Sequence, residues 1–387
     1  MTSPFSIMCF SWNADGLRLC ETLSQSEAND NRSGVKGILS FKKPCVVPNF
    51  MSEMQTKIDQ KKPGLVVIVT ENEDANGTYF HSNLLPFLMK DINYGFLIRN
   101  KLEGIGEVAS GYIQQGIPTG VPSGSAVRIS IFARNDMVNM FYSDYQHEEI
   151  TFKQKGKLVG STVVYLNHIN YGKFAFIALD IPSGINYMRI GTDLSYNQYR
   201  AATKAANTLC LINVLNKFID SLDDASKPKF VFLLGDFNYD VNVPGKNNAD
   251  ILYSIVSDPT VQKLKDLQNY DELKKAKTDI PLIDFKEGVN DEGPVFLPTW
   301  KLSRERTDSC VPSQNNKIGI DCFGKRDEQL KGFGWHDRIL FKNIAGNERS
   351  GSNYMIRCDS YDRVDMGNMH KSTHAGVIGF YSIVLRQ

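Results

Sequence analysis

Phe230-Val231-Phe232-Leu233-Leu234-Gly235-Asp236-Phe237-Asn238-Tyr239 is the stretch on which the reading of this chain turns. Its first half is a short run of aromatic, β-branched and leucine residues. Such a run, bounded by a turn former, reads as a buried strand. The second half puts glycine, aspartate and asparagine directly at the strand's carboxyl end. Taken alone, an Asp/Asn turn in which glycine relieves backbone strain accounts for this junction as well as a reactive site does.

Outward from it, Leu65 to Val69 and Phe174 to Leu179 read as strands of the same buried kind. Further candidates are Ile7 to Trp12, Ala126 to Ala133, Ser161 to Leu166, Trp335 to Phe341 and Val377 to Leu385. Between them, Tyr199, Ala202, Ala206, Leu209, Ile212, Leu215 and Ile219 recur at helical spacing. They predict a helix within Leu194 to Leu222, with Asp193 capping its first turn. A second helical pattern, Val261, Leu264, Leu267 and Leu273, ends in Lys274, Lys275 and Lys277, as suits a helix C-terminus. Short apolar strands alternating with helices predict a sheet core covered by helices, and a two-sheet sandwich with outer helices satisfies the pattern equally. Ser24 to Asn49, Gly104 to Gly124 and Lys301 to Gly334 read as loops. None has the composition of a linker and no repeat is present, so residues 1–387 are expected to form a single domain.

With 387 residues and 42% hydrophobic content the chain can bury a large core, which excludes disorder as its overall state. Forty-four basic against forty-three acidic residues give a net charge of +1, so no global field draws it to nucleic acid or to an anionic membrane. Any anion site must be local. Seven scattered cysteines without a C-x-x-C pair fit a reduced, intracellular protein, cytoplasmic or peripheral to a membrane. The start of the chain has no basic segment leading into an apolar run, and no stretch approaches the roughly 18 apolar residues of a span.

Other polar groups lie after, or within, strand-like runs: Asn13 after Phe10-Ser11-Trp12, Glu71 after Val69-Thr70, Asp337 in Trp335-His336-Asp337-Arg338-Ile339-Leu340, and His374 in Ser372-Thr373-His374. Singly, Asn13 and Glu71 read as strand-end polar groups, and Asp337 with Arg338 as an ion pair. Together, Asn13, Glu71, Asp236 with Asn238, Asp337 and His374 resemble the signature of the endonuclease/exonuclease/phosphatase superfamily. Asp271-Glu272-Leu273, Phe285-Lys286-Glu287-Gly288 and Pro298-Thr299-Trp300-Lys301 resemble the helix, F-x-E-G step and P-T-Y-K motif of its inositol polyphosphate 5-phosphatase branch. Trp335 to Leu340 is similar to that branch's W-C-D-R-I-L, and Gly235 to Tyr239 to its G-D-L-N-Y.

The resemblance implies a DNase I-like α+β fold, a two-layer β-sandwich flanked by helices, with the active site at one rim. It implies magnesium-dependent hydrolysis of a phosphate monoester, the 5-phosphate of an inositol polyphosphate or phosphoinositide headgroup. Glu71 would be the metal ligand with Asn13 assisting. Asp236 would deprotonate the attacking water and Asn238 would hold that water or a phosphoryl oxygen. His374 would donate to the phosphate, held by Asp337. Lys301 and Arg338 fall where substrate phosphates bind, and Lys325, Arg326 and Lys331 either extend that site or form a solvated loop.

Three positions depart from the pattern. Asp180, in Phe176-Ile177-Ala178-Leu179-Asp180, replaces a phosphate-facing histidine and is a candidate substitute metal ligand. Thr373 replaces a carboxylate, and Asp240 stands where arginine is usual. Histidines 81, 147, 168, 336 and 370 lack metal-ligand spacing and are expected to be structural or at the surface. A nuclease of the abasic-site or DNase I type shares the catalytic set, although the neutral charge gives no duplex-binding bias. A phosphoinositide-binding protein with weakened catalysis is the third reading. Ile105, Tyr112, Ile113, Ile117 and Val121 either touch a membrane transiently or pack on the body of the protein.

Overall fold

The computed structural model describes residues 5–13, 18–19, 45–46, 56–72, 94–96, 112–114, 126–134, 136–142, 146–154, 157–181, 196–277, 282, 284–303, 322–323, 332–344, 354–364 and 372–386. One sheet has seven strands: β1 (Phe5–Asn13), β2 (Leu65–Asn72), β3 (Tyr94–Phe96), β4 (Tyr112–Gln114), β5 (Ala126–Arg134), β12 (Tyr354–Val364) and β13 (Gly376–Leu385). Their order is β12-β13-β1-β2-β5-β3, with β4 also on β5. A second has six: β6 (Gln146–Gln154), β7 (Lys157–His168), β8 (Gly172–Asp180), β9 (Phe230–Asp236), β10 (Lys286–Glu287) and β11 (Asp337–Asn343), in the order β10-β11-β9-β8-β7-β6, and Arg18–Leu19 pairs with Cys45–Val46 in a small two-stranded sheet apart from both.

The two sheets face each other across a shared apolar core, in the sandwich arrangement the sequence implies. Strand β9 shows why its sequence is apolar throughout instead of alternating. Phe230, Phe232 and Leu234 enter the core with Ile7, Cys9 and Val67 of the first sheet. Val231 and Leu233 point the other way, against Leu211, Val214 and Phe218. Both faces are buried, so both sets of alternate positions must be apolar. The helical cover comes from α1 (Tyr196–Leu215), continued by a π-helical turn over Asn216–Asp220. It lies within the crossover between the parallel strands β8 and β9.

The face that α1 and its continuation bury overlaps the predicted one at Ile212, Leu215 and Ile219 and departs from it at Leu209. Cys210, Leu211, Val214, Leu215 and Phe218 are buried, whereas Leu209 is 59% exposed. Two apolar stripes compete on this helix, and docking onto Val231 and Leu233 selects the one that continues into Phe218. The second helical pattern is likewise two helices, α3 (Val261–Gln268) and α4 (Glu272–Lys277), preceded by α2 (Asn248–Ser257). Thr260 caps α3 by accepting the backbone N–H of Lys263 at 3.3 Å, and Val261 beside it is exposed.

Strands β6 and β12 carry no clear sequence signal. Each lies at the edge of its sheet, and β12 alternates buried and exposed positions with Arg357, Asp359 and Asp362 outward. Charged alternation is what an edge strand needs to resist pairing with another chain. One expectation about the cysteines is corrected: Cys322 is disulfide-bonded, while Cys9, Cys210 and Cys358 are buried thiols. Scattered spacing in sequence says nothing about which cysteines meet in space. Lys325, Arg326, Lys331, Ile105, Ile117 and Val121 lie outside the described residues, as do the side chains of Tyr112 and Ile113. Among the described residues no helix is long and apolar enough to cross a membrane.

Candidate active site

Strand register brings the singled-out polar residues to one rim. Asn13 pairs with Glu71 where β1 and β2 run parallel, so both stand at carboxyl ends. In the second sheet Asp180 pairs with Asp236 in parallel, and Asp236 pairs with Asp337 in antiparallel. Asp337 opens β11 and His374 lies just before β13, so their chains run back from the same rim.

Gly235 makes the crossing tight. Its φ is +144°, and a Cβ there would stand 2.0 Å from the Leu179 carbonyl oxygen. Only glycine lets β9 approach β8 this closely at the point where Asp180 and Asp236 lie side by side.

Hydrogen bonds then join the sheets. The Asn13 backbone N–H donates to Asp337 Oδ1 at 2.7 Å, and Asn13 Nδ2 donates to Asp236 Oδ2 at 2.8 Å. Asp337 Oδ2 lies 2.8 Å from His374 Nδ1. Ser372 Oγ donates to the Asn13 carbonyl at 2.7 Å and accepts the His374 N–H at 3.0 Å, locking the loop that carries the histidine. Asp236 Oδ1 accepts the Asn238 N–H at 2.8 Å. Asn238 itself has a φ of +51° and donates Nδ2 to the Ile181 carbonyl at 2.6 Å. Burial pushes the Asp337 carboxyl above its ordinary range, with His374 opposing that rise. Asn13, Asp236, Asp337 and His374 are all buried. Water is therefore largely excluded from this network, and its dipoles act at low effective dielectric.

Known proteins place this architecture. Residues 160–379 match Endonuclease/Exonuclease/phosphatase family 2. The chain belongs to that family. No curated protein matches it by sequence. Among solved structures it is similar to Cimex nitrophorin in its ferrous NO complex, at 17% identity and TM-score 0.56 over 100% of both chains. It is also similar to the inositol polyphosphate 5-phosphatase domain of SPsynaptojanin in complex with inositol (1,4)-bisphosphate and calcium ion, at 14% identity and TM-score 0.50, covering 99% of this chain and 86% of that one. At these identities the likeness is one of fold.

Within this family member two sequence expectations change. Arg338 does not face the rim. It is 2% exposed, donating Nε to Glu287 Oε1 at 2.9 Å, Nη1 to Asp271 Oδ2 at 2.6 Å and Nη2 to Glu287 Oε2. Alternation along β11 sends Asp337 to the site and Arg338 to the opposite face, so its expected role on a substrate phosphate is corrected. Lys301 remains exposed, beside Trp300, which bridges by backbone to Gly334 and His374.

His336 is the residue that sequence reasoning set aside. It is 3% exposed, its ring stacks on Trp300 with centroids 4.2 Å apart, and Nε2 lies 2.9 Å from Asp240 Oδ1. Strand alternation opposes it to Asp337, but β11 starts only at Asp337 and His336 precedes that regular backbone. The one sequence signal was its adjacency to Asp337.

A divalent metal is the group this family implies. Asn13 and Glu71 share a register position at the carboxyl ends of β1 and β2, and asparagine and glutamate are residue types whose hard oxygens suit a small divalent cation. By residue type the pair fits such an ion.

Proposed function

We propose that this chain is a magnesium-dependent phosphatase that removes the 5-phosphate from an inositol polyphosphate or a phosphoinositide headgroup. The observation that supports this most directly is the buried chain of hydrogen bonds Asp236–Asn13–Asp337–His374, assembled from both sheets. It presents a carboxylate for accepting a proton beside an imidazole oriented by a second carboxylate. Magnesium held by Glu71 and Asn13 would offset the charge on the phosphoryl oxygens.

The protein's own groups divide the remaining work. Asp236 takes the proton of the attacking water. Asn238, with Nδ2 committed to Ile181, has its carboxamide oxygen left to orient that water. His374 gives a hydrogen bond to the phosphoryl oxygen, and Asp337 fixes the ring so that the donor faces substrate. Lys301, exposed at the rim, meets a further phosphate of the headgroup. The SPsynaptojanin likeness supports the inositol class, since that domain was solved with an inositol bisphosphate.

Asp180 favours a second reading. Asp180 is buried and pairs in register with Asp236, which gathers negative charge where a phosphate would enter. A family member that binds a headgroup without cleaving it would tolerate this, and the likeness to a nitrophorin shows the same fold in a protein of a different name. Phosphate release from soluble inositol phosphates and from phosphoinositide vesicles, with an abasic-site duplex in parallel, separates the readings. Turnover with magnesium that falls at least ~100-fold in Asp236→Ala and in His374→Ala is expected. Strand cleavage would move the protein to nuclease chemistry, and headgroup binding without turnover would establish the second reading.

A further inference from the structure

The arrangement around His336 asks for a cation. Its Nδ1 is buried with no hydrogen-bond partner and lies 3.9 Å from Asp236 Oδ1, beyond hydrogen-bonding distance. With Nε2 held by the Asp240 carboxylate at 2.9 Å, Nδ1 is the ring nitrogen left facing Asp236. An unpartnered ring nitrogen and a carboxylate then face each other in a buried site. Such a pair costs free energy unless something positive lies between them.

A third group closes the set. One ligand atom each from Asp236, His336 and His374 lies within 4.8 Å of the others, and all three residues are buried. Two ligands of one transition-metal ion, at ~2.0–2.1 Å each, stand no more than about 4.2 Å apart. The 3.9 Å between His336 Nδ1 and Asp236 Oδ1 already satisfies that limit. Behind each imidazole stands a carboxylate: Asp240 on His336 Nε2 and Asp337 on His374 Nδ1. Carboxylate-backed histidines are how proteins fix the tautomer and direction of a metal-ligating nitrogen.

We propose that Asp236, His336 and His374 form a two-histidine, one-carboxylate site for a divalent transition-metal ion of the zinc type, distinct in ligand chemistry from the oxygen donors Asn13 and Glu71, and that an ion bound there takes Asp236 and His374 out of the base and donor roles proposed above and so blocks turnover. Nitrogen donors select borderline ions such as Zn2+ and Co2+ over magnesium, which takes oxygen. Two departures from the 5-phosphatase motifs meet here: His336 stands in place of the cysteine of W-C-D-R-I-L, and Asp240 in place of arginine, and these two residues hydrogen-bond to each other. Together they supply the extra nitrogen and its anchor.

The site is tested without substrate, so its failure is independent of the phosphatase reading. The whole chain, stripped with chelator, is titrated with Zn2+ against a chromophoric competitor and with Co2+ by visible absorption. Wild type is expected to bind about one ion per chain at this site, with Co2+ bands of nitrogen and oxygen ligation and no thiolate charge-transfer band. His336→Gln, which keeps a polar side chain of similar reach, should weaken Zn2+ at least ~100-fold, and Asp240→Asn ~10–100-fold as expected for an outer carboxylate. Circular dichroism and a melting curve show whether each variant is folded. Folded His336→Gln with wild-type Zn2+ affinity, a Co2+ spectrum of cysteine ligation, or no stoichiometric binding by wild type would each overturn the proposal.

Discussion

His168 shows how one side chain sets the response to acid. Its ring packs among Phe5, Phe141 and Tyr171, with centroids 4.9, 4.9 and 4.6 Å away, and Nδ1 accepts the Asn170 N–H at 3.1 Å. Burial lowers its pKa to about 4. In the unfolded chain the same group titrates near ~6.5. Below that pH the unfolded state takes up a proton that the folded state refuses, so the unfolded state gains and stability falls as pH drops toward the folded value. The loss between about pH 7 and pH 5 is on the order of 2 kcal/mol. Denaturant unfolding at these two pH values should show it in wild type, and His168→Phe, which suits the aromatic cluster, should flatten the difference by that amount. An unchanged difference in the variant would place the acid sensitivity elsewhere.

At the scale of elements, the junction of β8 and β9 controls the site. Gly235→Ala puts a methyl group 2.0 Å from the Leu179 carbonyl oxygen at a φ of +144°. The backbone must shift, at a cost of about 3 kcal/mol or more, and Asp236 moves with it. A lowered melting temperature together with lost turnover is expected, whereas Gly245→Ala, where a Cβ meets nothing within 4 Å, should cost far less in melting temperature and leave turnover intact. Equal melting temperatures for the two variants would show that β8 and β9 can separate freely. The same junction explains what was legible in the sequence. β1, β2, β5, β8, β9 and β13 announce themselves because they are buried on both faces, and the polar residues at their ends stand out against apolar runs. β6 and β12 do not, since edge strands carry charge for reasons unrelated to the core. Asp337 was readable as a site residue, but Arg338 was misread because a motif records which residues co-occur and not which face each one takes. His336 was missed for the opposite reason: it points into the site from irregular backbone, where no periodicity applies.

Over the whole molecule, two buried polar clusters hold the second sheet in place, one on each side of β11. Toward the rim, Asp337 joins β11 to β1 through Asn13. Behind it, Arg338 gathers Asp271 at the start of α4, Glu287 on β10 and, through Glu287, Tyr361 on β12 at 2.9 Å. Burial opposes the charge on Arg338, but the Asp271 and Glu287 carboxylates outweigh it and hold the guanidinium protonated, while burial raises Asp271 in turn. Removing the cation would strand two carboxylates among apolar groups. Arg338→Met is therefore expected to cost about 3–5 kcal/mol of stability, seen as a lower denaturant midpoint. Its KM for an inositol phosphate, measured well below the new melting temperature, should stay near wild type. Lys301→Ala should do the reverse, raising KM with little change in midpoint, because an exposed lysine contributes little to stability. A raised KM in Arg338→Met with an unchanged midpoint would return the arginine to the substrate and show that the buried cluster opens when a headgroup arrives.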